Sequence, residues 1–144
     1  MNEGAEIDRK YIEKAPSLLE IRCSRSKRWR LLEGACVITP DGWAARALKI
    51  EGAVATLIVP PILFMESAFA NPTHHFIPVL SDPATLGCLL VLVREAYQCP
   101  WLSVVGSAED GWRIDAEGSD ADVSDLHSFG SEAEALVTAL EVAE

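Results

Sequence analysis

The clearest metal-ligand spacing in the sequence lies in an acidic stretch of the C-terminal half. Asp120, Asp122 and Ser124 have the spacing of the first three ligands of an EF-hand calcium loop. The sixth position, which needs glycine for a sharp turn, is Asp125, and the twelfth, which needs a bidentate glutamate, is Ser131. The pattern fails where the fold of such a loop depends on it, so it indicates a solvated acidic loop.

Two adjacent histidines, His74 and His75, lie between Pro72 and Pro78. Neighbouring side chains of a strand point to opposite faces, so such a pair rarely holds one metal ion. No serine or cysteine stands beside them in the pattern of a nucleophile and its base. They support the alternative hypothesis, which is a small enzyme or ligand-binding domain with a site between the two halves of the chain.

The four cysteines, Cys23, Cys36, Cys88 and Cys99, include no CxxC pair, and their spacing does not fit a zinc site. The first residues lack the basic and apolar segments of a secretory signal, which predicts reduced thiols in a bacterial cytoplasm. The sequence also contains no GxGxxG, GxxxxGK[ST], HExxH or GxSxG motif. We therefore predict no catalytic residue, no metal and no cofactor.

Hydrophobic residues make up 49% of the 144-residue chain, which is enough for a packed core. The formal net charge is −10, which argues against direct binding of nucleic acid, because phosphates are held by surplus Lys and Arg. The longest apolar stretch, residues 53–65, contains Pro60 and Pro61 and is too short to span a bilayer as a helix. The sequence thus predicts neither a nucleic acid nor a membrane as direct partner.

The pattern of apolar residues and turns predicts an α+β fold that begins with an antiparallel β-meander. Its candidate strands are residues 31–39, 43–50 and 53–59, the last being apolar on both faces and therefore central. Residues 62–70 are either a short helix or a strand. Residues 1–20 are predicted to be a flexible or short-helical terminus, with helices expected at 8–13 and 17–22, and residues 21–80 a β-rich half.

The acidic second half, residues 81–144, is predicted to be an α-β-β-α unit. Asp82 and Pro83 are typical of a helix start. The helix over 83–97 carries an apolar face and enough apolar residues elsewhere that we expect it to be buried on most of its surface. The hairpin strands are expected at 101–106 and 112–117, on either side of a Glu-Asp-Gly turn.

The last helix is predicted to start with a capping box, in which Ser131 caps the helix and Glu134 reaches back to the Ser131 N–H. The β-rich half and the α-β-β-α unit are joined by a proline-broken segment. Whether they form one fused domain or two stays open.

Charge is divided unequally between the two halves. Residues 1–81 contain 10 basic and 9 acidic side chains, a net of +1, whereas residues 82–144 contain 2 basic and 13 acidic, a net of −11. The candidate partner-binding acidic residues are Glu109, Asp110, Asp115, Glu117, Asp120, Asp122 and Asp125. The candidate basic residues for a partner or for self-association are Arg22, Arg25, Lys27, Arg28 and Arg30, with Trp29 among them.

The second half resembles a recurring type of small phage or prophage protein of unknown function. The resemblance covers about residues 81–143 and rests on SDPATLGCLLVLVREAY, then Gly111 and Trp112, then SEAEALVTALEVA. It implies a phage-encoded accessory protein and carries over no active site. The α-β-β-α order is also similar to that of double-stranded-RNA-binding domains, but the basic start of their second helix is replaced here by Ser-Glu-Ala-Glu, which argues against RNA binding.

These features together predict a phage-like, non-enzymatic interaction protein that acts in the host cytosol. Spaced carboxylates can occupy the Lys and Arg of a basic surface on a host protein, including one that normally holds nucleic acid. The specific form to test is anti-defence activity, such as inhibition of a nucleic-acid-guided nuclease. The basic and acidic patches of two copies could also meet in a homodimer, which is the commonest closed assembly.

Overall fold

The protein has a mixed α+β fold, as the sequence predicts. The computed structural model describes residues 16–40, 42–51, 54–59, 64–69 and 76–143. Within these ranges it contains three helices, a five-stranded antiparallel sheet and a two-stranded hairpin. None of the described helices is both long enough and apolar enough to cross a membrane.

The first described helix, α1, spans Leu18–Arg25 and starts with a full capping box. The Ser17 hydroxyl accepts from the Glu20 N–H at 3.2 Å, and the Glu20 carboxylate accepts from the Ser17 N–H at 2.9 Å. The second carboxylate oxygen of Glu20 accepts from the Leu80 N–H at 2.7 Å. The predicted helix at 17–22 is confirmed and runs one turn further, whereas the one predicted at 8–13 lies outside the described residues.

The sheet is formed by strands β1 to β5, and it extends the predicted meander at both edges. The strands are β1 Cys36–Ile38, β2 Ala44–Glu51, β3 Val54–Val59, β4 Phe64–Phe69 and β5 Ile77–Pro78, in the spatial order β4-β3-β2-β1-β5. Strand β3 pairs with a neighbour on each side, which confirms its predicted interior position. Residues 62–70, for which the sequence predicts either a short helix or a strand, contain strand β4.

The first predicted strand is shorter than expected. Strand β1 starts only at Cys36, because Gly34 adopts a positive φ of 92° and the Ala35 N–H bonds back to the Leu32 carbonyl. Strand β5 then covers the free edge of β1, where Val37 lies opposite Pro78. A proline is tolerated there because the strand is at the edge of the sheet.

The second half contains helix α2 (Pro83–Ala96), strands β6 (Ser103–Ser107) and β7 (Gly111–Asp115), and helix α3 (Glu132–Val142). The predicted α-β-β-α order is confirmed. Helix α2 buries one face only, at Thr85, Leu89, Leu92 and Val93, while Val91 is 44% exposed. The expectation that this helix is buried on most of its surface is therefore wrong.

The start of helix α3 differs in one contact from the predicted capping box. The Ser131 hydroxyl accepts from the Glu134 N–H at 3.1 Å, as expected. The Glu134 carboxylate instead accepts from the Gly130 N–H, also at 3.1 Å. The two side chains thus satisfy one backbone N–H in the first turn of the helix and one that precedes it.

Within the ranges that the structure describes, one hydrophobic core contains residues from both halves of the chain. Helix α3 packs against α1, α2 and the hairpin, and α1 packs against β5. Fully buried members include Trp29 and Leu57 of the first half and Leu92, Leu136 and Leu140 of the second. The fold therefore positions the basic run of the first half against helices of the second.

Candidate partner-binding surface

The basic run at residues 22–30 faces acceptors of its own chain. Arg22 forms two hydrogen bonds with the Glu141 carboxylate, and Arg30 forms two with Glu95 at 2.7 and 2.8 Å. Arg28 donates to the Ala143 carbonyl at 3.2 Å. Three cations of the run are thereby paired with acceptors of α2 and α3, across an exposed seam between the two halves.

Trp29 lies inside this seam and not on its surface. Its side chain is 2% exposed, and its indole N–H donates to the Phe76 carbonyl at 3.0 Å. The part of the prediction that placed Trp29 in a contact surface is therefore wrong, because a buried ring cannot meet a partner. All five basic side chains of the run, in contrast, are exposed.

A third ion pair joins the two halves where helix α2 starts. Arg46 of strand β2 donates to both carboxylate oxygens of Asp82, at 2.8 and 3.0 Å. The same carboxylate accepts from the N–H and the hydroxyl of Thr85, so it also caps the helix. The hydrogen bonds from Arg46 and Thr85 lower the pKa of Asp82 to about 2.

The seven predicted acidic residues all belong to the β6–β7 hairpin and the loop that follows it. Glu109 and Asp110 form the hairpin tip, where the Asp110 N–H donates to the Ser107 hydroxyl at 2.9 Å. Gly111 closes the turn with a φ of 74°, and a Cβ there would lie 2.6 Å from the Phe129 carbonyl oxygen. Backbone geometry therefore fixes the direction of the tip.

The acidic loop is anchored along strand β7. The backbone groups of Trp112 and Phe129 exchange hydrogen bonds at 2.9 and 3.0 Å, and the Ile114 N–H donates to the Leu126 carbonyl at 2.9 Å. Leu126 is 4% exposed and belongs to the core. The loop is thus held at its returning end by main-chain bonds and one buried side chain.

Two of the acidic side chains also shape the loop from within. Asp115 accepts from the Glu117 N–H at 3.0 Å, and Asp122 accepts from both the N–H and the hydroxyl of Ser124. These bonds to Ser124 lower the pKa of Asp122. A groove of about 510 Å³ lies between strand β7 and this loop.

Within residues 109–125, seven carboxylates and one cation, Arg113, give a net charge of −6 (seven negative, one positive). Six of the seven carboxylate residues are exposed, and Asp115 is half-buried. The ion pairs found in the described chain use none of them. These seven residues form the acidic surface of the protein.

One exposed aromatic residue beside the acidic surface, Trp101, is not among the candidate residues predicted from the sequence. Trp101 is 55% exposed, and its indole N–H donates to the Glu117 carbonyl at 2.8 Å. The available signal was its position directly after Pro100, in the turn that ends helix α2 rather than within strand β6. Trp43 and Trp112 are half-buried.

His74 and His75, the residues of the alternative hypothesis, lie outside the described residues. Among the residues that are described, no group of three His, Cys, Asp or Glu side chains could hold a metal ion. The four cysteines are free thiols, and burial raises the pKa of Cys23 to about 12. Within the described residues, the candidate site thus consists of exposed carboxylates and the exposed side chain of Trp101.

Comparison of the chain with protein-family models, with curated proteins and with solved structures gives no match. The resemblance to small phage proteins therefore stays a prediction.

Proposed function

We propose that the protein is a non-enzymatic interaction protein whose acidic surface binds a basic surface of a host protein. The observation that carries the proposal is the contrast between the two charged regions. Arg22, Arg30 and Arg46 already pair with acids of the second half, whereas the carboxylates of residues 109–125 form no ion pair in the described chain. An outward array of one sign favours association with the opposite sign.

The anchoring of the hairpin and loop adds to the proposal. Main-chain bonds between strand β7 and residues 126–129 hold the carboxylates on a fixed frame. Charges held in place lose less conformational entropy on binding than charges on a flexible tail. An inhibitor of a nucleic-acid-guided nuclease, encoded by a phage, is the specific form of this function that we would test.

The test is capture from bacterial lysate with immobilised protein in three forms. The first form is wild type, and the second is neutralised at five exposed acids. The third keeps every charge by exchanging Asp and Glu at the same five positions. The neutralised form carries Glu109→Gln, Asp110→Asn, Glu117→Gln, Asp120→Asn and Asp125→Asn, which spares the two carboxylates that bond to the loop.

We expect a partner that binds the wild type and the charge-preserving form, and that is lost from the neutralised form. Raising the salt from about 50 mM to about 500 mM should release it, because the Debye length shortens from about 14 Å to about 4 Å. Added single-stranded nucleic acid should compete if the partner surface normally holds phosphates. Recovery of no partner at low salt, or equal recovery by all three forms, would contradict the proposal.

A further inference from the structure

The groove between the end of helix α2 and the turn at residues 118–121 contains the most exposed tryptophan of the described chain. This groove has a volume of about 430 Å³ and is lined by Tyr97, Gln98, Trp101, Ser119, Asp120 and Ala121. We call it the Trp101 groove. It borders the acidic surface, since Asp120 belongs to both.

The aromatic side chains of the groove have their polar groups bound within the protein. The Trp101 indole N–H donates to the Glu117 carbonyl at 2.8 Å, and the Tyr97 hydroxyl donates to the Ala139 carbonyl at 2.9 Å. Trp101 therefore holds one orientation while more than half of its surface stays open. Since its N–H is occupied, what it offers a ligand is open aromatic surface, and the face of an indole attracts cations.

A negative charge stands in the same groove. The Asp120 carboxylate is exposed, and within the described chain it forms neither an ion pair nor a side-chain hydrogen bond. The neighbouring Ser119 hydroxyl is occupied, because it donates to the Ala116 carbonyl at 2.8 Å and accepts from the Ala121 N–H at 3.2 Å. The groove thus combines an aromatic face with one available carboxylate.

Gln98 adds a side-chain amide at a backbone position that favours glycine. Its φ is 52°, and its N–H bonds to the Glu95 carbonyl at 3.1 Å in the turn that ends helix α2. Glycine is the common residue at such a left-handed helix end, because a Cβ is strained there. A strained residue kept beside an open groove is typical of functional sites.

We propose that the Trp101 groove takes an arginine side chain of the partner, with the guanidinium stacked on the Trp101 indole and paired with Asp120. A planar guanidinium matches both groups, because it stacks on aromatic faces and donates two parallel hydrogen bonds to a carboxylate. The Gln98 amide oxygen can accept a further guanidinium N–H. This inference rests on the proposed function and names the anchor residue of the partner.

The experiment uses a defined probe, the capped pentapeptide Gly-Arg-Gly-Arg-Gly, with lysine and citrulline versions as controls. Citrulline keeps the shape of arginine and removes its charge. Binding is followed through the Trp101 indole N–H signal in ¹⁵N-labelled protein, which is assigned from its loss in Trp101→Phe. We expect the arginine peptide to shift this signal and the amide signals of residues 98 and 118–121, the lysine peptide to bind about threefold more weakly, and citrulline not at all.

Three variants separate stacking from charge. Trp101→Leu should weaken the arginine peptide about fivefold or more, and Asp120→Asn about threefold. The matched control, Asp110→Asn at the hairpin tip, removes the same charge outside the groove and should change binding less than about twofold. Circular dichroism and thermal melting check that each variant is folded.

The outcomes also distinguish this inference from the proposed function. If arginine and lysine peptides bind equally and Asp110→Asn matches Asp120→Asn, binding follows overall charge and the inference is overturned. It is also overturned if no Trp101 signal moves at about 10 mM peptide, a concentration that detects even millimolar affinity. If Trp101→Leu still captures a partner from lysate and the five-acid variant does not, the proposed function is supported. The arginine anchor in the Trp101 groove is then contradicted.

Discussion

The basic run at residues 22–30 and the acidic surface at residues 109–125 look alike in the sequence, since each is a dense cluster of one charge with a tryptophan near it. In the folded chain they differ in their contacts. The basic run pairs with Glu95 and Glu141 and its Trp29 is buried, whereas the acidic surface forms no ion pair in the described chain and borders exposed Trp101. One cluster contributes to joining the halves of the protein, and the other is available to a partner.

This comparison of the two clusters shows that the net charge of a segment does not by itself identify a binding surface. The net of −11 in the second half includes Asp82, Glu95 and Glu141, whose charges are offset by arginines of the first half. The seven carboxylates of the acidic surface, by contrast, take part in none of the ion pairs of the described chain.

The largest expected difference in the free energy of unfolding is between substitutions of Trp29 and of Trp101. Trp29→Ala should lower the free energy of unfolding by about 3–5 kcal/mol, because it removes a buried ring and leaves the Phe76 carbonyl without its donor. Trp101→Ala, the same chemical change at an exposed site, should lower it by only about 1 kcal/mol. Urea unfolding of both variants tests this, and equal losses would contradict the division into an inward and an outward region.

The ion pair at the start of helix α2 should show how much an internal pair stabilises the fold. Asp82→Ala loses the pair and the cap, so we expect a loss of about 2–3 kcal/mol at neutral pH. Asp82→Asn keeps a capping oxygen and should lose about 1–2 kcal/mol, a figure reduced for the partial exposure of Arg46.

The same pair predicts a pH dependence. The pKa of Asp82 is about 2 in the folded state, below its ordinary value of 3.8, so its contribution is present above about pH 4 and is lost as the pH falls towards 2. Stability of the wild type should fall through this window, and the fall should be smaller in Asp82→Asn. Parallel acid titrations followed by circular dichroism measure this, and curves of equal slope would assign the acid sensitivity to other carboxylates.

A substitution in the Trp101 groove is expected to raise the free energy of unfolding, by a smaller amount. Gln98→Gly should raise the free energy of unfolding by about 0.5–1 kcal/mol, because glycine removes the strain of a positive φ. The same variant should weaken the arginine peptide. Ser128→Gly is the matched control, since Ser128 also has a positive φ, of 64°, but does not line the groove. If both variants gain stability and bind the peptide equally, Gln98 has no part in recognition.

The smallest expected effect is self-association through the two charged regions. Only part of the basic run is available to a second copy, so we expect a weak dimer at about 50 mM salt that dissociates at about 500 mM. Light scattering at both concentrations measures the mass. A monomeric mass at both salt concentrations would contradict the prediction of a homodimer. A dimer indifferent to salt would instead place the interface on the exposed face of helix α2 at Val91.

Local signals in the sequence predicted much of the fold. Asp82 and Pro83 marked the start of helix α2, and the Glu-Asp-Gly turn marked the hairpin, because capping and turn geometry depend on neighbouring residues only. The capping box of helix α1 was also readable from Ser17 and Glu20 and was overlooked. Strand β4 could not be predicted, since a short apolar segment suits a strand or a helix until a partner strand pairs with it.

The sequence by itself determined the α+β class, the order of the second-half elements and the place of the seven carboxylates on one hairpin and loop. Only the tertiary structure decided which charges form ion pairs within the chain and which tryptophan is open. The physical reason is that burial and ion pairing join residues far apart in the chain, as Arg22 joins Glu141 and Trp29 joins Phe76. Residue type and spacing determine which interactions a side chain can form, and long-range packing determines which residues become its partners.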